Sequence, residues 1–117
     1  MTAEEFVQAI KVITISALSG LLKTFIKPPG KKPAPDLVRI SNFFNRLSEE
    51  DKETFSGALE LAAKQSACNF LLVLDGALAI ESTEEKGILE LYYCHDKVRV
   101  KINDTDNVML NEIFRQK

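Results

Sequence analysis

All four prolines of this chain fall between residues 28 and 35, and that placement divides everything else. Proline has no N–H to donate, and its ring clashes with the preceding helical turn, so no helix runs through the segment. The segment also holds Gly30, Lys31 and Lys32, and its only other apolar side chain is Ala34. It reads as a stiff, polar surface loop in which the chain reverses direction.

Upstream, residues 2–27 read as one long helix. Thr2 stands three residues before Glu5, the spacing of a reciprocal N-terminal cap. Phe6, Ile10, Ile13, Ala17, Leu21 and Phe25 recur every three or four positions, with Leu18 and Leu22 beside them, so they are expected to share one face. Val12, Ile15 and Ile26 lie off that face, which calls for a second layer or a partner chain to cover them. Residues 12–22 carry no charge. That run is half the roughly 20 residues a spanning helix needs, and Glu4 and Glu5 give the wrong leader charge for a signal peptide. The expectation is therefore no membrane partner and a cytoplasmic location.

Downstream of the prolines, Asp36 is expected to cap a short helix bearing Leu37, Ile40, Phe43, Phe44 and Leu47. Ser48 caps the next, with Glu49, Glu50 and Asp51 in its first turn, where the positive end of the helix dipole favours acids. This third helix runs to Leu74. Its last turns, 67–74, are apolar nearly all round, the pattern of a buried element. Asp75-Gly76 then ends it, with Gly76 as a left-handed cap. Asp-Gly between two apolar runs is also a hairpin signal, pairing residues 69–74 with 77–82. The weak strand formers Ala77 and Ala79 favour the helix.

From residue 88 the period changes to two. Val98, Val100 and Ile102 alternate with Arg99 and Lys101, giving a hairpin of 88–94 and 97–102 about a turn at Cys94-His95-Asp96. Asp104 or Asp106 is expected to cap a short final helix with Val108, Leu110, Ile113 and Phe114. The fold class is α+β: a long first helix, a short second, a long buried third, a small antiparallel hairpin or meander and a short C-terminal helix. At 117 residues, 1–117 reads as a single domain.

Function classes are narrowed by what the chain carries. Its net charge is −2 and it has one histidine and two cysteines. A nucleic-acid binder usually has a basic surplus. Cys68 and Cys94 form no C-x-x-C pair, and no phosphate loop is present. No cofactor or metal is expected, and Cys68 reads as a small buried residue on a helix. Charge is segregated: residues 1–47 hold seven basic side chains against three acidic, and the remainder eight against fourteen.

Three groups of residues are candidates for function. Glu81, Glu84, Glu85 and Glu90 gather in and around one loop, as a partner-facing acidic patch or as solvated surface. Asp75 follows an apolar run, where an acid meets the negative end of its own helix dipole; a turn hydrogen bond to the following backbone accounts for it. Cys94, His95 and Asp96 are the only cluster of catalytic residue types, but neighbours on a strand point to opposite faces.

The run Phe70-Leu71-Leu72-Val73-Leu74-Asp75-Gly76, then Ile80-Glu81, Leu89-Glu90-Leu91 and Leu110-x-Glu112-Ile113-Phe114, resembles a layout of small bacterial proteins, some of the toxin-immunity type. The resemblance covers residues 70–114, leaves out the first helix, and carries no catalytic residue. It implies a binding role, in which the acidic residues engage a basic toxin.

The expected function is accordingly non-enzymatic protein binding, with a homodimer through the first helix as one arrangement. The alternatives are a small enzyme or ligand-binding domain using Cys94, His95 and nearby carboxylates, or a purely structural homodimer.

Overall fold

A computed structural model describes residues 1–116 as four helices and one hairpin: α1 (Ala3–Ile26), α2 (Pro35–Arg46), α3 (Glu49–Leu74), β1 (Tyr92–His95), β2 (Val98–Lys101) and α4 (Leu110–Arg115). This is a helix-rich α+β fold. Helix starts follow local chemistry. The Thr2 hydroxyl accepts from Glu5 N–H at 3.1 Å and the Ser48 hydroxyl from Asp51 N–H at 3.1 Å. At α2 the expected cap is displaced: Pro35 occupies the first turn, Ala34 is the cap residue, and Asp36 lies inside the helix. Proline's fixed φ suits that first position, where its missing N–H is not needed.

The chain falls into two compact units, Met1–Val12 with Gln65–Lys117, and Ile13–Lys64. The chain passes from one unit to the other within α1 and again within α3.

The unit Ile13–Lys64 is built on phenylalanine. Phe25, Phe43, Phe44 and Phe55 stand in tilted and edge-on pairs with centroids 5.8–6.3 Å apart. Each such pair adds about 1 kcal/mol to plain burial. Asn45 closes the end of α1 by donating to the carbonyls of Ile26 at 3.1 Å and Phe25 at 3.4 Å. Inside α2 the buried residues are Ser41 and Phe44, while Ile40 and Phe43 remain exposed.

The other unit buries Val7, Cys68, Leu71, Ile102, Leu110, Ile113 and Phe114 together. Cys68 is a free, buried thiol, as its helical setting implied. Helix α3 ends at Gly76, whose φ is +76°. Gly76 N–H bonds Val73 O and Ala77 N–H bonds Leu72 O, the doubled closure that a left-handed residue allows. Residues 69–82 are therefore a helix end, to Leu74, followed by a loop, and the only strand pairing among the described residues is β1 with β2.

Three expectations need correction here. The end of α3 is not buried all round: Phe70 is 61% exposed, because only the side bearing Cys68 and Leu71 meets the core. The hairpin is shorter, and its turn is Asp96 and Lys97 rather than 94–96, so Cys94 and His95 lie within β1. Asp96 takes the left-handed φ of +54° that the turn requires, a conformation aspartate tolerates better than most residues. Neither Asp104 nor Asp106 caps α4, whose partner is described below.

Helix α1 also differs from its expected face. Val7 and Phe25 are buried, but Ile13, Ala17 and Leu21 lie outside, with Val12 and Ile15. By length and composition α1 is long enough and apolar enough to cross a membrane, and only a small share of that stretch is buried.

Candidate protein-binding cleft

The end of α3, the loop 76–91 and the start of the segment after β2 enclose a half-open cleft of about 250 Å3. Its walls include Leu78, Ile80, Ile88 and Leu89, with Asp75, Glu81, Lys86 and Lys101 as charged members. Two buried polar side chains among its lining residues hold this architecture together.

The first is Asp75. Its Oδ1 accepts Leu110 N–H at 2.8 Å; its Oδ2 accepts Asn111 N–H at 2.9 Å and the Asn111 amide at 2.7 Å. An acid that seemed misplaced at the negative end of α3 is thus the N-terminal cap of α4, 35 residues on, facing that helix's positive end. At the other end of α4, Lys11 donates to Ile113 O at 3.3 Å and Gln116 O at 2.9 Å. Six residues are too few to hold a helix alone. Side chains from α1 and from the end of α3 supply both of its terminal contacts.

The second is Asn103, which sequence reasoning did not single out. Its amide donates to Leu74 O and Leu89 O, both at 2.7 Å, and its Oδ1 accepts Leu91 N–H at 2.8 Å. One side chain thereby ties the last turn of α3 to the segment leading into β1. Its signal in the sequence was slight: a lone asparagine directly after the alternating strand.

Of the glutamates, Glu81 lines the cleft, and Glu84, Glu85 and Glu90 are not among its lining residues. Every residue from 81 to 90 is exposed. Glu81 accepts Gly87 N–H at 3.4 Å. Glu90 accepts the Tyr92 hydroxyl at 2.9 Å and lies 3.9 Å from Lys101. Glu84 and Glu85 flank the loop tip, where the Thr83 hydroxyl bonds Glu85 O. The structure places Glu81, Glu84, Glu85 and Glu90 on one loop and its continuation. Asp75 lines the same cleft as Glu81, but it is buried, and both its carboxylate oxygens are engaged in capping α4.

His95 and Cys94 lie on the exposed hairpin, both solvent-facing. His95 stacks on Tyr93 with centroids 6.4 Å apart and contacts Asp96 at 3.3 Å. Cys94 and His95, adjacent on β1, project to opposite faces. Among the described residues no three of His, Cys, Asp or Glu converge as metal ligands, and no buried side-chain polar atom lacks a partner. Comparison with protein-family models, with curated proteins and with solved structures found no match.

Proposed function

We propose that this chain is a non-enzymatic protein-binding domain whose partner seats on the loop 77–91. The observation that carries the reading is the surface chemistry of that loop. Ile80 and Ile88 are 66% and 80% exposed, and Leu78 and Leu89 nearly half exposed, beside Glu81, Glu84 and Glu85, none of which has a cationic partner among the described residues. Exposed aliphatics grouped with a surplus of carboxylates, three against the single Lys86, are the composition of an interface.

The cleft volume points the same way. About 250 Å3 falls below the roughly 300–1,000 Å3 of small-molecule sites, but it accommodates an aliphatic side chain of a partner. Asp75 and Asn103 line the cleft, but their polar atoms are engaged in bonds to the fold itself. A basic partner suits the glutamates, and neutralisation of a basic toxin in the manner of immunity proteins is the concrete version.

The test is capture from native lysate by tagged protein at low and high salt, set against a Glu81→Gln/Glu84→Gln/Glu85→Gln variant. One basic partner, lost at high salt and lost by the variant, is expected. Capture indifferent to both would overturn the role of the acidic loop.

A second reading, a structural homodimer, rests on a separate observation. In the unit Ile13–Lys64, α1 exposes Ile13 (61%), Ile15 (46%), Leu21 (44%) and Ile26 (59%). Mass in solution distinguishes it: a dimer dispersed by Ile13→Lys supports a seam on α1, and a monomer excludes it.

A further inference from the structure

We infer that the exposed side of α1, with the lysines that follow it, docks on an anionic phospholipid bilayer, the helix lying along the surface rather than crossing it. This surface is built from other residues than the acidic loop and does not rest on the role proposed for that loop.

Helix geometry sorts α1 into two sides. At 3.6 residues per turn, positions 7, 11, 14, 18, 22 and 25 fall on one line. Along it Val7 and Phe25 are buried, and Lys11, Thr14, Leu18 and Leu22 are half-buried. On the other side Val12, Ile13, Ile15, Leu21 and Ile26 are 44–68% exposed. The exposed positions between them are the small Ser16, Ala17, Ser19 and Gly20 and one charge, Lys23. From Val12 to Ile26 this strip is about 21 Å long at 1.5 Å per residue. A contiguous aliphatic strip left in water marks a docking surface.

The covered line decides how a bilayer is met. A spanning orientation would strip Val7 and Phe25 from their cores. A helix lying along the surface keeps both, and it needs no apolar run of roughly 20 residues.

Charge selects the occupant. From Phe6 to Pro35 the chain has five lysines and no acid. Lys11 is engaged at the end of α4. Lys23, Lys27, Lys31 and Lys32 are exposed, and none pairs with an acid among the described residues. The acids at the start of α3 belong to a helix that meets α1 on its covered side, where the Phe55 and Phe25 rings lie 6.3 Å apart. A second copy seated on the same side of α1 would bring the same lysines and no acid, because a two-fold contact pairs a patch with itself. Anionic headgroups supply the missing negative charge. The aliphatic side chains of residues 12–21 then enter the boundary between headgroups and acyl chains, while Lys23 and Lys27 extend their ammonium groups to the phosphates. Lys31 and Lys32, in the stiff proline segment directly after the helix, complete a cluster of the size that anionic lipid recognises.

The probe is a set of phosphatidylcholine vesicles with and without phosphatidylserine. The chain has no tryptophan, so Ile13→Trp places a single reporter on the exposed strip. With phosphatidylserine present, the protein is expected to sediment with the vesicles and the reporter's emission to shift to the blue. Phosphatidylcholine alone gives neither, and high salt weakens both. Lys23→Gln/Lys27→Gln should lower binding about 25-fold, taking about fivefold per lysine, with the melting temperature unchanged. Ile13→Ser/Leu21→Ser, which keeps every charge, should also lower it several-fold.

Absence of sedimentation with phosphatidylserine vesicles overturns the proposal, and equal binding to phosphatidylcholine alone overturns an anionic bilayer as the occupant. Binding indifferent to Ile13→Ser/Leu21→Ser would show that the strip does not enter the bilayer. A reporter already blue-shifted without vesicles, in a protein with the mass of a dimer, overturns the proposal in favour of a second copy on α1.

Discussion

Asp75 and Asn103 show how much a single buried polar side chain determines here. Asp75→Ala leaves Leu110 N–H, Asn111 N–H and the Asn111 amide without an acceptor. Leaving one buried donor unpaired costs about 1–3 kcal/mol, so the substitution is expected to cost about 3 kcal/mol or more, read as a lowered urea midpoint. Loss of α4 protection in hydrogen exchange should accompany it; a loss confined to α3 would contradict the capping role. At Asn103 the contrast between two variants is the informative result. Asn103→Ala removes bonds to two carbonyls and one N–H, at a cost of about 2 kcal/mol. Asn103→Asp adds a carboxylate facing the carbonyls of Leu74 and Leu89, so it should destabilise more than alanine despite being nearly isosteric. Equal effects would mean that the amide's donors are unimportant. Neither role was readable from the chain: both depend on backbone groups brought close by folding, 29 residues away at Leu74 and 35 at Leu110.

Elements were legible to the degree that their signals were local. The starts of α1 and α3 rest on Thr2 and Ser48, each bonding a backbone N–H three residues on, so sequence spacing sufficed. Asp75-Gly76 was ambiguous for a physical reason. A helix terminus and a tight hairpin both place glycine at positive φ, and the dipeptide does not say which. The true hairpin turn, Asp96 and Lys97, contains no glycine at all. On α1 the expected face and the buried one differ because apolar side chains lie all round residues 12–22, so periodicity has no polar side to contrast with. At Gly76 a methyl group would meet no atom within 4 Å. Gly76→Ala should therefore cost about 1 kcal/mol, from the left-handed backbone alone, with a melting temperature lowered by a few degrees. A much larger loss would show that something other than φ is involved.

On the scale of the whole chain, the division into two units does not fall at the proline segment. Each boundary lies inside a helix, between residues 12 and 13 of α1 and between 64 and 65 of α3. Each of those helices serves both units: α1 places Val7 in one core and Phe25 in the phenylalanine cluster of the other, and α3 places Leu71 and Phe55 likewise. Helix propagation is cooperative and a new nucleus is costly. Unfolding one unit would leave a truncated half-helix in the other, deprived of the turns that continue it. A single unfolding transition is therefore expected, as for most small chains. Leu71→Ala, in a site 1% exposed, should cost about 2–5 kcal/mol, and Phe44→Ala about 3–5 kcal/mol. Against a total of about 5–15 kcal/mol, each is a large fraction. The decisive readout is where the loss is felt. With shared helices, either variant lowers the denaturant midpoint reported by probes in both units, and the slope is unchanged. Were Phe44→Ala to split the curve, leaving the core around Leu71 and Leu110 to melt at its original midpoint, the two units would be independent despite their common helices.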